Sequence, residues 1–214
     1  MISVIFDMDG TLLDTQKICI PAWEYAGREQ GVVGMGDHIV HVCGMNSAGW
    51  SRYVLDRYPH IDMDKFNLTV REYVLEHGKI TYKKGAEELL SYLWDNKIKT
   101  AIASGSSIGS IEHHLREVGS YERFDAIAGG VEVEHGKPAP DVFLLAAKRM
   151  GAEPCDCIVF EDSENGIRAA HAAGMSAIGI ADIVPFSDEV KDLMYAEFSD
   201  MTESLELMKT LIEK

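Results

Sequence analysis

The chain of 214 residues has no internal repeat, no low-complexity tract and no apolar run long enough to cross a bilayer. It is short of positive charge: 20 lysines and arginines stand against 35 aspartates and glutamates, a formal net charge of −15. Such a surface repels nucleic acid and anionic membranes over a Debye length of roughly 10 Å, so neither is expected as a partner. An anionic small molecule stays possible, because a bound cation and local lysines reverse the field inside a pocket. Cysteine is sparse, with Cys19, Cys43, Cys155 and Cys157 at no regular spacing. A long chain with so few cysteines has no disulfide framework, and Cys155 and Cys157 lack further nearby ligands for zinc. Reduced thiols are expected. The apolar residues 2–6 run straight into Asp7 and Asp9 with no basic start or cleavage site, so no secretory signal is read and a cytoplasmic location is expected.

What is present is an ordinary globular balance, 46% hydrophobic and 26% charged, at a length that suits one large domain or a core with a small insert. Residues 2–6 are short and rich in β-branched side chains, and they read as a buried strand running into an acidic, glycine-bearing loop over 7–14. Between 16 and 79 the texture changes. Apolar residues fall at mixed helical spacing, broken by Gly31, Gly34, Gly36, Gly44 and Pro59, and no alternation marks a strand. From residue 80 strands and helices alternate. Strands are expected at 100–103, 124–128, 158–160 and 176–180. Ala86, Leu89, Leu90 and Leu93 share one helical face, and Ile108, Ile111, Leu115 and Val118 another, which Gly119 closes. Pro140 suits the first turn of a helix ending near Gly151, Ile167, Ala170 and Ala173 lie on the next, stopped by Gly174, and 201–212 is an amphipathic closing helix. This alternation predicts a Rossmann-like parallel α/β sheet with helices on both faces, with ligands beyond the carboxyl ends of its strands.

That edge is where the reactive side chains fall. Asp7 and Asp9 follow the first strand, Ser104 the strand at 100–103, and Glu161 and Asp162 the strand at 158–160. In extended backbone, residues two apart point the same way, and two carboxylates so close resist joint ionisation unless a cation lies between them. With Asp162 they form an oxygen-rich set that suits a hard cation, magnesium before zinc. A calcium-binding helix-loop-helix is excluded: Phe6 ends a strand, and Leu12 and Ile18 stand where that loop needs glycine and glutamate. Taken singly, Ser104 reads equally well as a capping serine and Lys137 as a solvated loop lysine. Ser163 suits a helix cap, and His113, His114 and His171 read as solvated or packing residues.

Four segments together carry a resemblance. Asp7-Met8-Asp9-Gly10-Thr11-Leu12, Ser104, Lys137 within Gly136-Lys137-Pro138-Ala139-Pro140-Asp141, and Glu161-Asp162-Ser163-Glu164-Asn165-Gly166 resemble, in order, the four signatures of haloacid dehalogenase-type phosphatases. The resemblance implies that Asp7 attacks phosphorus and carries an aspartyl-phosphate, while Asp9 protonates the leaving oxygen and then activates water. It implies Mg2+ held by Asp7, the backbone carbonyl of Asp9, and Asp162, with Glu161 assisting. Ser104, Gly105 and Lys137 would bind the phosphate of a small phosphorylated metabolite.

The same resemblance implies a helical cap over 16–79 on a core of 1–15 and 80–214, with Thr15 at the hinge. Gly44, Met45 and Asn46, in a turn facing the active site, would select the substrate. Trp23, Trp50 and Arg52 are secondary candidates, both tryptophans also suiting the packed interior of the insert. The nearest subfamily is β-phosphoglucomutase-like. Its mutases carry an arginine near Gly44, a histidine near Cys19 and a lysine near Ser107. This chain has Met45-Asn46-Ser47, Cys19 and Ser107 instead, so a monomeric phosphatase acting on sugar phosphates is expected ahead of a mutase. A dehalogenase would not need Asp9 and Asp162. A phosphonatase would need a cap lysine such as Lys17, Lys65 or Lys79 for a Schiff base. The remaining alternative is a metabolite-binding protein on the same scaffold.

Overall fold

A computed structural model describes residues 2–212. Its sheet comprises β1 (Ser3–Phe6), β2 (Lys99–Ser104), β3 (Ala126–Gly129), β4 (Cys157–Glu161), β5 (Ser176–Ile180) and β6 (Ala196–Phe198) in the order β3-β2-β1-β4-β5-β6. Every neighbouring pair is parallel. The first strand therefore lies at the centre, with Phe6 opposite both Ile102 and Phe160. All four β1 residues are buried, as a strand covered on both faces requires. Alternation divides them: Ile5 enters one core layer, Val4 and Phe6 the other, where Phe6 stacks on Phe160 at 5.0 Å.

Between β1 and β2 the chain is helical: α1 (Gln16–Arg28), α2 (Ile39–Val42), α3 (Ser47–Arg57) and α4 (Met63–His77). They close on an apolar cluster of their own, in which Trp23 meets Phe66 edge-on at 5.3 Å beside Met35 and Val54. Side-chain caps set two of the helix starts. Asn46 accepts from the Gly49 amide at α3, and Asp62 from those of Asp64 and Lys65 at α4.

After β1 and this insert, α5 (Ala86–Asp95) and α6 (Ile108–Glu117) bury Leu89, Leu90, Leu93, Ile111 and Leu115 on one face of the sheet. On the other face, α7 (Asp141–Met150), α8 (Glu164–Ala172) and the short α9 (Asp188–Lys191) bury Phe143, Ala146, Ile167 and Val190. The closing α10 (Met201–Ile212) returns to the first face through Met201 and Met208.

Details differ from the expected elements. The third strand starts at Ala126 rather than 124, because 121–123 forms a 3-10 turn and Phe124 packs edge-on against Trp94. Pro140 occupies the N-cap of α7 rather than its first turn, and α8 ends one residue before Ala173. Gly119 and Gly174 follow their helices at φ +73° and +72°, the left-handed conformation that glycine adopts without strain.

Candidate active site

The loop leaving β1 is bound tightly to itself. The amides of Leu12 and Leu13 donate to the Met8 carbonyl, and the Gly10 amide donates to Leu13. Fully buried Met8, Leu12 and Leu13 anchor it below. Gly10 has φ +86°, and a Cβ there would lie 2.5 Å from Asp162 Oδ2, so this glycine allows the first loop to approach the fourth strand. The Asp7 amide donates to the Phe160 carbonyl, extending the β1–β4 ladder by one bond and fixing Asp7 at the sheet edge.

Lys137 reaches this edge from the loop before α7. Its Nζ donates to Asp7 Oδ1 at 2.5 Å and to Glu161 Oε2 at 2.7 Å, with all three side chains almost sealed from solvent. Glu161 is held from behind by Ser163, whose amide and hydroxyl donate to Oε1. Asp162 accepts from the Thr11 hydroxyl at 2.7 Å and from Gln16 Nε2 at 3.0 Å. Asp9 is turned elsewhere. Its Oδ2 accepts from the hydroxyls of Ser106 at 2.8 Å and Ser104 at 3.2 Å, and Ser104 Oγ in turn accepts from the Ser106 amide.

The charges do not balance without a further cation. Asp7, Glu161 and Asp162 each offer an oxygen within 4.8 Å of the others, all buried, against the one ammonium of Lys137. Burial raises Asp7 well above the usual carboxylate range. Lys137 opposes that rise, and Glu161, Asp162 and Asp9 add to it. Burial, with the neighbouring Glu161 charge, pushes Asp162 up to about 8 against the pull of Thr11 and Lys137. Burial works against the Lys137 ammonium, but Asp7 and Glu161 outweigh it and raise its pKa. A hard, oxygen-only donor set that would otherwise retain protons fits a divalent ion such as magnesium. The side chain of Asp9 is outside this cluster, so only its backbone carbonyl remains of the expected contribution.

Beside Asp9 opens a cavity of about 790 Å³, walled by α1, α2, α3 and α4 of the insert and by α6. Asp9, Ser106 and Ser107 line it, whereas Asp7, Lys137, Glu161 and Asp162 do not. The turn at Gly44 presses on the loops that carry Gly105, Gly136 and Ser163. Gly44 has φ +73°, a Cβ there would lie 2.3 Å from Ser163 Oγ, and a Cβ on Gly136 would lie 2.5 Å from Asn46 Nδ2. A Cβ on Gly105 would lie 2.9 Å from the Met45 carbonyl. Gly44 and Met45 also line the cavity, as do Trp23 and Trp50, which take part in the interior of the insert as well. Arg52 is exposed and away from it. Lys17, Lys65 and Lys79 are likewise outside the lining and exposed, Lys17 pairing with Asp14.

Four participants escape a reading of residue type alone. Thr11 and Gln16 orient Asp162, and Ser106 is the shorter partner of Asp9. Of these only Thr11 lies inside a recognisable signature. His114, read from its helix as solvated or packing, lines the cavity with its Nδ1 buried and without a hydrogen-bond partner among the described residues.

Comparison with known proteins agrees with this geometry. The family description haloacid dehalogenase-like hydrolase matches residues 3–174. The chain is 34% identical over 181 residues to the fructose-1-phosphate phosphatase of Escherichia coli K12, covering 83% of this chain and 95% of that protein. It is 30% identical to the β-phosphoglucomutase of Bacillus subtilis 168, covering 96% of this chain and 93% of that protein. Among solved structures, a hydrolase from Pseudomonas syringae superposes with a TM-score of 0.82 at 25% identity, covering 98% of this chain and 99% of that one.

Proposed function

Because the chain belongs to the haloacid dehalogenase-like hydrolases, we propose that it is a magnesium-dependent phosphatase cleaving small phosphate monoesters through a phosphorylated Asp7. The observation that carries this is the division of the two aspartates. Asp7 is locked to Lys137 beside Glu161 and Asp162, while Asp9, two residues on, hangs from Ser104 and Ser106 at the floor of the cavity. One carboxylate faces the charge cluster, where a phosphoryl group is stabilised, and the other faces the space for a leaving group.

In this reading Asp7 attacks phosphorus and the ester P–O bond breaks. Asp9 gives its proton to the departing alcohol. Asp9, now ionised, takes a proton from water as that water attacks the phosphorus of the aspartyl-phosphate, releasing inorganic phosphate and restoring Asp7. Ser106 holds the Asp9 carboxyl in place for both transfers, leaving the Ser104 hydroxyl to turn to the phosphate. Lys137, Ser104 and the backbone at Gly105 bind phosphate oxygens, Lys137 opposing the repulsion between carboxylate and phosphate. Asp7 and Asp162, with Glu161 and the Asp9 carbonyl, would hold Mg2+, which supplies charge neutralisation to the transferring phosphoryl group.

Residues 16–79 form, in this reading, a cap domain over a core of 1–15 and 80–214. Gly44, Met45 and Asn46 bring the selecting surface down onto the phosphate site. Relatives that act on fructose 1-phosphate or are named for β-phosphoglucose support sugar phosphates as the substrate class. Hydrolysis is favoured over mutase chemistry by Ser107, which caps α6 and lines the cavity where the mutases place a lysine.

Phosphate release from a panel of sugar phosphates, nucleotides and an aryl phosphate, with and without magnesium, tests the reading. Release that requires magnesium and falls by a factor of about 10³ or more in Asp7→Asn is the expected outcome. Equal release by Asp7→Asn, or release indifferent to magnesium, would exclude the mechanism.

A further inference from the structure

The space beyond Asp9 says what kind of alcohol departs. It adjoins the proton donor and excludes Asp7 and Lys137, so it receives the leaving group rather than the phosphate. Its volume, about 790 Å³, lies in the range that encloses ligands the size of a drug, well beyond the body of a single hexose. Its chemistry is divided. Asp9, Ser106 and Ser107 give it polar lining, and two buried polar atoms of lining residues, Thr15 Oγ1 and His114 Nδ1, have no hydrogen-bond partner among the described residues. Thr15 is only 2% exposed, so its hydroxyl has little access to bulk water.

Much of the remaining lining is apolar or aromatic. Trp50 lies 5.3 Å from Trp23 between ring centroids, and Met45, Val70 and Val74 continue the surface. Leu75, also in the lining, leaves 57% of its surface exposed. A sugar hydroxyl placed against such a wall would lose its water and gain no partner, whereas a flat ring would stack on the indole and cover the aliphatic side chains. Asn67 and Arg71, also in the lining and one turn apart on α4, offer donors to the edge of that ring.

We propose that the substrate is a sugar phosphate whose sugar carries a flat heteroaromatic ring, as in a nucleoside 5′-monophosphate. The sugar lies beside Asp9, Thr15 and His114, and the ring lies on Trp50. This rests on the phosphatase reading above and narrows it.

The matched pair of ribose 5-phosphate and uridine 5′-monophosphate isolates the ring, since both release the same primary alcohol oxygen. We would measure kcat/KM for both, for adenosine and flavin mononucleotide, for glucose 6-phosphate, and for acetyl phosphate as a substrate without a sugar. At least one ring-bearing ester should exceed ribose 5-phosphate and glucose 6-phosphate by about tenfold or more. Trp50→Ala should shrink that ratio. So should Leu75→Asn, a change at an exposed position that leaves the interior of the insert intact. If no ring-bearing ester exceeds ribose 5-phosphate, or if neither variant changes the ratio, the inference is overturned while the phosphatase reading stands. If no substrate, acetyl phosphate included, gives magnesium-dependent release, the phosphatase reading fails and this inference with it.

Discussion

Asp162 carries a carboxyl pushed up to about 8 by burial and by Glu161, against about 3.9 for a free aspartate. Its folded-state pKa is raised, so between those two values the folded protein holds a proton that the unfolded chain has already released. The metal-free fold is therefore relatively stabilised below about pH 4 and loses that contribution as pH climbs through the window towards 8. Magnesium needs the ionised form, so its binding must expel the proton. Its apparent Kd should fall as pH rises from 6 to 8, by up to about tenfold per pH unit. Calorimetric titrations in buffers of different ionisation enthalpy would show proton release at pH 6.5 that fades by pH 8.5. A Kd and proton count that stay flat across this range would contradict the assignment. Asp7, Asp9 and Asp162 were legible in the sequence because each follows a short apolar strand, and Glu161 because it ends one, and strand ends in a parallel sheet converge by rule. The way Thr11 and Gln16 hold Asp162 was not, because it depends on how tightly the first loop folds over Gly10, and composition does not show that.

At the scale of elements, α8 does more than cover the sheet. Its N-cap Ser163 accepts from the Gly166 amide while giving its own amide and hydroxyl to Glu161. The helix therefore starts against the acid it positions. A Cβ on Gly166 would lie 1.9 Å from the Glu161 carboxyl carbon. Gly166→Ala should displace Glu161 and with it the Lys137 contact. Turnover should fall by about tenfold or more and magnesium binding should weaken, although Gly166 offers no side chain to either ligand. Steady-state kinetics and magnesium titration on that variant decide it, and wild-type values for both would show that the helix start adapts freely. The helices were readable wherever one apolar face persisted over several turns, as at Ala86, Leu89, Leu90 and Leu93. β6 and α9, three and four residues long, are shorter than the periods that would reveal them. The start of β3 shifted because Phe124 finds Trp94 rather than the sheet, a tertiary preference that strand propensity does not register.

Across the whole molecule, a net charge of −15 leaves the folded surface repelling itself. Ion pairs such as Lys84–Asp200 and Arg168–Glu189 lie at the surface and offset little of it. Sodium chloride raised from 0.01 to 0.15 M should increase the melting temperature by roughly 2–4 °C for each kcal/mol of repulsion screened. A melting temperature that falls with salt in differential scanning calorimetry would mean that the attractive surface pairs dominate instead. The parallel alternation that predicts the α/β core was visible from residue 80 onward. The cavity beside Asp9 was not, because it arises where α1 to α4 meet α6, far apart in the chain.

The central position of β1 also sets an order of events during synthesis. Its partners β2 and β4 begin at Lys99 and Cys157, so the strand that leads into Asp7 emerges from the ribosome before its neighbours and waits for them. The Asp7–Lys137 and Thr11–Asp162 contacts span 130 and 151 residues. A nascent chain therefore has no assembled acidic cluster until most of its length has emerged, and the helical insert, whose contacts are more local, can condense before the site it serves.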